Sequence, residues 1–134
     1  MNEAVVRAKV KFDDIEDIQV GTVLAAGGGA TQARMAAYLA GFPDKVAVAT
    51  LNRQCSSGLQ AFATLAGLIK TGAIEMGIAA GVESMSQHDM TSAVGAINER
   101  VFSNDKARMC LMSMGETSEN VAERYGITRA EQDQ

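Results

Sequence analysis

The sequence has no tryptophan, one proline, one histidine and only 4% aromatic residues. Stacking platforms are therefore scarce, and 12 Lys and Arg scattered against 16 Asp and Glu give a net charge of -4. That combination excludes the electrostatic footprint of a nucleic-acid binder. No apolar run approaches the roughly 20 residues needed to span a bilayer, so a membrane-spanning reading is excluded as well. The two cysteines, Cys55 and Cys110, stand too far apart to form a CxxC redox or zinc pair and give no secreted disulfide framework. A reducing compartment is the default. The opening MNEAVVRAKV carries neither the apolar core of a signal peptide nor an Arg- and Ser-rich transit pattern. What remains is 134 residues, 47% hydrophobic and 21% charged, enough for about one soluble globular domain.

Along the chain, residues 3–10 read as the end of a helix, with Asn2 available as a cap, and residues 12–17 as an acidic connector. Residues 18–24 (IQVGTVL), 46–52 (VAVATLN) and 76–82 (MGIAAGV) have the apolar character of buried strands, the last weakened by its alanines and glycines. Between them, residues 31–40 and 56–71 have helical composition. Ser57 and Gln60 have the spacing of a capping box, and Leu59, Phe62, Ala63, Ala66 and Ile69 fall on one helical face. Strands alternating with helices imply right-handed crossovers and a parallel sheet, an α/β fold. From residue 86 to 112 the pattern gives way to irregular structure or short helices. Ser113 and Glu116 then open another helix with Val121, Ala122 and Tyr125 inward and Gly126 beyond its end. A third box, Thr128 with Glu131, is followed by the last residue, Gln134, before one full helix is built, and the expectation is a truncated chain.

Two segments invite a chemical reading. LAAGGGATQARMA has the look of a phosphate-cradling turn, but G-x-G-x-x-G counted from Gly27 puts Gln32 at the third glycine, and an apolar segment stands where a ribose-binding acid belongs. A tight loop is the better account. Cys55 follows an apolar strand and precedes a helix start, where free backbone N–H groups and the helix dipole favour a thiolate. The bland alternative is a small buried residue used for packing.

The run TLNRQCSSGLQA at residues 50–61 resembles the nucleophile segment of the thiolases, in the RQCSSG form of the peroxisomal 3-ketoacyl-CoA branch. GVESMS at residues 81–86 and MGETSENVAERYGITRAEQD at residues 114–133 agree in order and spacing, and IEDIQVGTVL and ARMAAYLAGFP resemble the family's second strand and second helix. The resemblance covers nearly the whole chain.

It implies a partial thiolase fold: an N-terminal β-α-β-α-β half lacking its first strand over residues 1–85, and the start of the loop domain over residues 86–134. The implied activity is acyl transfer, thiolytic cleavage of a 3-ketoacyl-CoA through a cysteine acyl-enzyme. Cys55 matches the nucleophile, and its backbone N–H matches one oxyanion donor. Met114 matches a methionine lining the acyl pocket, with ordinary packing as the equal alternative. The family's GHP, CxGxG and NEAF motifs do not occur here, so His88 and Cys110 are not assigned those roles, and turnover by this chain alone is expected to be nil. The resemblance further implies no resident cofactor or metal, coenzyme A as co-substrate, acyl-CoA as partner, homodimerisation through the strand at residues 46–52, and a peroxisomal location, with mitochondrion or bacterial cytoplasm as alternatives. Loss of an interior strand is expected to leave unpaired strand edges and an aggregation-prone chain. A competing reading is a non-catalytic interaction partner of a full-length thiolase. Ser113 departs from the family in standing where a proline is common.

Overall fold

The computed structural model describes residues 1–91 and 94–134. The chain forms two compact units, Met1–Gly95 and Ala96–Gln134.

The first unit holds helix α1 (Asn2–Ala8), strand β1 (Asp17–Gly21), helix α2 (Ala30–Leu39), strand β2 (Ala47–Leu51), helix α3 (Ser57–Lys70) and strand β3 (Gly77–Gly81). The three strands form one parallel sheet in the order β2-β1-β3. β1 is hydrogen-bonded along both edges, Ile18 facing Val48 on one side and Ile78 on the other, and the strand edges without a partner strand among the described residues are the outer ones of β2 and β3. The chain steps from β1 to β2 and then back across β1 to β3. With right-handed crossovers, that reversal puts α2 and α3 on opposite faces of the sheet.

The two faces differ in kind. Alternation along β1 sends Ile18 and Val20 to one side, where they are buried with Val5, Ile15, Ala33, Ala37, Phe42 and Val46, flanked by Val48, Ile78 and Ala80. Each Val, Ile or Phe in this core contributes about 1.5–3 kcal/mol by leaving water. Phe12 and Phe42 add an edge-to-face contact at 4.9 Å between ring centroids. The other face presents Gly21, Gly77 and Gly81, and there α3 lies directly on the backbone. A β-carbon on Gly21 would stand 2.4 Å from the Ser57 carbonyl carbon, and one on Gly77 2.8 Å from Leu65 Cδ2.

This contact corrects two expectations. The face of α3 turned to the sheet is Ser57, Ala61 and Leu65, whereas Leu59 and Phe62 are 72% and 64% exposed within the chain. Ser57 lies against the backbone of Gly21 and Leu65 reaches over Gly77, while the stripe with Leu59 and Phe62 turns away. The Ser57–Gln60 capping box is also not formed: Ser56 is the N-cap and the Ser57 hydroxyl is engaged elsewhere. At the amino end, Asn2 lies inside α1 rather than capping it.

The second unit holds a 3-10 turn (Glu99–Ser103) and helices α4 (Asp105–Met109), α5 (Met114–Tyr125) and α6 (Arg129–Gln132). Ser113 Oγ caps α5 by accepting from the Glu116 N–H, one half of the expected box, and Thr128 with Glu131 forms the full reciprocal box. Gly126 closes α5 with a left-handed φ of 67°. The inward face expected of α5 is not seen, since none of residues 96–134 is buried and Tyr125 is 71% exposed. No sheet lies within this unit for the helix to cover.

Candidate active site

The carboxyl ends of parallel strands are where open α/β sheets hold ligands. In the first unit, the loops leaving β1, β2 and β3 are tied together at that edge.

After Leu51 the chain turns sharply into α3, and the turn is made by Gln54, whose φ of 50° lies in the left-handed region. For a non-glycine residue this costs about 1–2 kcal/mol, so its surroundings must hold it. Asn52 Oδ1 accepts from the Gln54 N–H at 2.9 Å. From the other side, Ser57 Oγ accepts from the Arg53 N–H at 2.9 Å and donates to the Gln54 carbonyl at 2.6 Å. Arg53 also donates from its guanidinium to Gln60 Oε1. The effect is a sharp strand-to-helix elbow with Cys55 on it, exposed, free of any disulfide and two residues ahead of the first helical residue of α3.

Glu83, two residues past β3, organises the neighbouring loop. Its carboxylate accepts from Thr22 Oγ1 at 3.1 Å, the Val23 N–H at 2.8 Å and the Leu24 N–H at 3.0 Å. The Leu24 N–H above all, then the Val23 N–H, the Thr22 hydroxyl and the His88 charge, hold its carboxyl below the ordinary glutamate value of 4.5, against an opposing effect of burial. Val23 in turn accepts at its carbonyl from Asn52 Nδ2 at 3.3 Å. Beyond this loop, Gly27, Gly28 and Gly29 run consecutively at φ of 61°, 74° and 73° and lead into α2, the tight loop the sequence predicts.

The sequence matches the family described as "Thiolase, N-terminal domain" over residues 1–134. The chain belongs to the thiolase family. It is 52% identical over 125 residues to the mouse "3-ketoacyl-CoA thiolase A, peroxisomal", covering 93% of this chain and 29% of that one. It superposes on the dimeric peroxisomal thiolase of Saccharomyces cerevisiae with a TM-score of 0.86 at 41% identity, covering 98% of this chain and 34% of the yeast chain. A thiolase from Ascaris suum, described as in complex with coenzyme A, is similar over 65% of this chain and 23% of its own, with a TM-score of 0.61 and 34% identity. The chain thus spans about a third or less of the relatives it matches.

The thiolase motifs are distributed over both units. TLNRQCSSG forms the elbow, GVESMS supplies Glu83, and the third stretch forms α5 and α6. Met114 is the first residue of α5, directly after the capping Ser113, and is 57% exposed. Cys110 closes α4 and donates from its sulfur to the Lys106 carbonyl at 3.5 Å. His88 is half-buried in the turn after β3, its backbone N–H bonded to the Ser84 carbonyl at 3.0 Å. Among the described residues no group of His, Cys, Asp and Glu is arranged to hold a metal ion. No helix among them is long and apolar enough to cross a membrane.

The sequence singles out Cys55 as a candidate but not the side chains that hold its turn. Asn52 and Glu83 lie within the quoted motifs without an expected role, and Ser57 was expected to cap α3 with Gln60 rather than to brace the turn. Asn and Ser flanking a strand exit are recognisable as turn-binding residues, and that signal was available for two of the three.

Proposed function

We propose that this chain is the nucleophile-bearing part of a 3-ketoacyl-CoA thiolase, an acyltransferase of fatty acid β-oxidation. The observation that carries the proposal is the exposed Cys55 on a braced elbow at the start of α3, inside the segment that matches the family. The Cys55 thiolate attacks the 3-keto carbonyl, the bond between the second and third acyl carbons breaks, and acetyl-CoA leaves after its α-carbon is protonated. The shortened acyl group, held as a thioester on Cys55, then passes to the sulfur of coenzyme A and the thiol is restored. Two thioester exchanges replace one difficult carbon–carbon cleavage. The Cys55 backbone N–H is one donor to the developing oxyanion.

Met114 lines the acyl pocket in this proposal, and residues 1–85 and 86–134 are the core domain and the beginning of the loop domain. Coenzyme A and acyl-CoA are the partners, with no resident cofactor. Homodimerisation through β2 is supported by its place at the edge of the sheet and by the dimeric yeast relative. The peroxisomal relatives support a peroxisomal location.

The direct test is acylation of the chain. With this chain put in place of the matching segment of a full-length 3-ketoacyl-CoA thiolase, which supplies the GHP, CxGxG and NEAF motifs, incubation with acetoacetyl-CoA, acid quench and peptide mass spectrometry should find an acetyl thioester on Cys55, none on Cys110 and none after Cys55→Ser. Absence of the Cys55 adduct with the unaltered segment in place refutes the proposal.

A further inference from the structure

We infer that Glu83 is a positioning residue for Cys55, acting through the Val23 carbonyl and the Asn52 side chain. The connection is continuous. The Glu83 carboxylate accepts from the Val23 N–H at 2.8 Å and also holds the residues on either side of Val23, through Thr22 Oγ1 and the Leu24 N–H. With three consecutive residues held by one carboxylate, the Val23 peptide has little freedom, and its carbonyl accepts from Asn52 Nδ2 at 3.3 Å. The same Asn52 amide turns its oxygen to the Gln54 N–H at 2.9 Å. Gln54 is the left-handed residue that aims Cys55, and Asn52 is the side chain bracing it from the strand side. An amide that donates with one end and accepts with the other transmits orientation, because its two ends cannot be set independently.

The strength of the arrangement lies in its first link. A carboxylate accepting from two backbone N–H groups and a hydroxyl makes charge-assisted bonds, roughly twice as strong as neutral ones. The two segments it joins are distant in the chain, with Glu83 61 residues beyond Thr22. Reactive groups need support of this kind, since a shift of about 1 Å in a reacting atom is enough to cost on the order of a hundredfold in rate. If Cys55 carries the acyl group as proposed above, Glu83 determines where that sulfur stands without touching substrate.

The test reads the position of the sulfur separately from acyl transfer. Cys55 and Cys110 are both exposed, so iodoacetamide can be followed at both by peptide mass spectrometry, with Cys110 in the other unit as the internal reference. Glu83→Gln keeps the size of the side chain and loses the charge. It should slow alkylation of Cys55 relative to Cys110 by about tenfold, the scale of losing charge-assisted bonds, while the far-UV circular dichroism is unchanged. Asn52→Ala should have a similar effect, and the double variant should be no slower than Asn52→Ala alone, because the two residues act in series. A role confined to tying the loops together predicts that the two losses multiply. Multiplied losses, or an unchanged ratio in either single variant, overturn the inference.

Should Glu83→Gln disturb the fold, Thr22→Val removes one of the three bonds and leaves the carboxylate. It should then slow Cys55 about two- to threefold, and an unchanged ratio would overturn the inference on that evidence. The acetoacetyl-CoA adduct on the unaltered segment is scored independently, so failure of the acyl-transfer proposal and failure of this one give different results.

Discussion

Gly21→Ala adds one methyl group at the point where β1 and α3 touch. The new carbon would sit 2.4 Å from the Ser57 carbonyl carbon and 2.6 Å from both the Ser57 carbonyl oxygen and the Gly58 nitrogen. All three are backbone atoms, so no side chain can rotate aside. Reaching the ~3.5 Å of ordinary contact requires the start of α3 to retreat by roughly 1 Å. Overpacking of this sort costs about 1–3 kcal/mol, and the upper end applies where the obstacle is main chain. A domain of this size has a total stability of roughly 5–15 kcal/mol, so the loss is easily measured. Urea unfolding followed by circular dichroism should place Gly21→Ala about 3 kcal/mol below the unaltered chain. Gly67→Ala is the control, since its added carbon meets nothing within 4 Å and the residue lies inside α3. That substitution should stabilise by about 0.5–1 kcal/mol through helix propensity alone. A Gly21→Ala chain within about 0.5 kcal/mol of the parent would mean that α3 does not rest on the sheet backbone, and the account of the elbow would go with it.

Ser57→Ala deletes the hydroxyl that bonds both Arg53 and Gln54, and should cost about 1–3 kcal/mol in the same urea assay; a neutral result would show that the elbow stands without it. Ser113→Ala removes the cap of α5 and should cost about 0.5–2 kcal/mol locally, read as faster hydrogen exchange at the Glu116 amide, with no change if the cap is unimportant. For Glu83 the folded pKa lies below 4.5, so its stabilising effect is complete above that pH and is lost as pH falls through the folded value. Carboxyl-carbon NMR should find its midpoint beneath 4.5, and a midpoint at or above that value contradicts the three-donor arrangement.

The parallel sheet was legible because its strands are short apolar runs separated by helical ones, even where β3 is mostly glycine and alanine. The end of the first strand was not. Residues 22–24 have strand-like composition, but the Thr22 hydroxyl and the N–H groups of Val23 and Leu24 go to Glu83 instead of a ladder, so β1 stops at Gly21. That partnership is about 60 positions long and leaves no local pattern. Ser57 shows the opposite difficulty. It has the right spacing for a cap, but the better use of its hydroxyl is one turn back along the chain, where a strained residue needs bracing. The helix caps at Ser113 and Thr128 were read correctly because capping is decided within four residues and no tertiary contact competes for those side chains.

The orientation of α3 was misread for a related reason, and the correction explains how the fold positions its cysteine. Counting apolar residues selects the face with Leu59 and Phe62, because hydrophobic burial rewards the largest side chains. Close approach rewards the smallest. On the α2 side of the sheet the first rule wins, and Ile18, Val20, Val5 and Phe42 build a core that tolerates small adjustments among flexible side chains. On the α3 side the second rule wins, with Gly21 against Ser57 and Gly81 near Gly58 leaving backbone on backbone. Backbone contacts do not repack. A helix seated in this way has its first turn set by the strands themselves, and Cys55, two residues ahead of that turn, inherits the placement. The division of labour follows: the greasy face supplies most of the folding energy, and the glycine face converts it into a defined position for one sulfur atom.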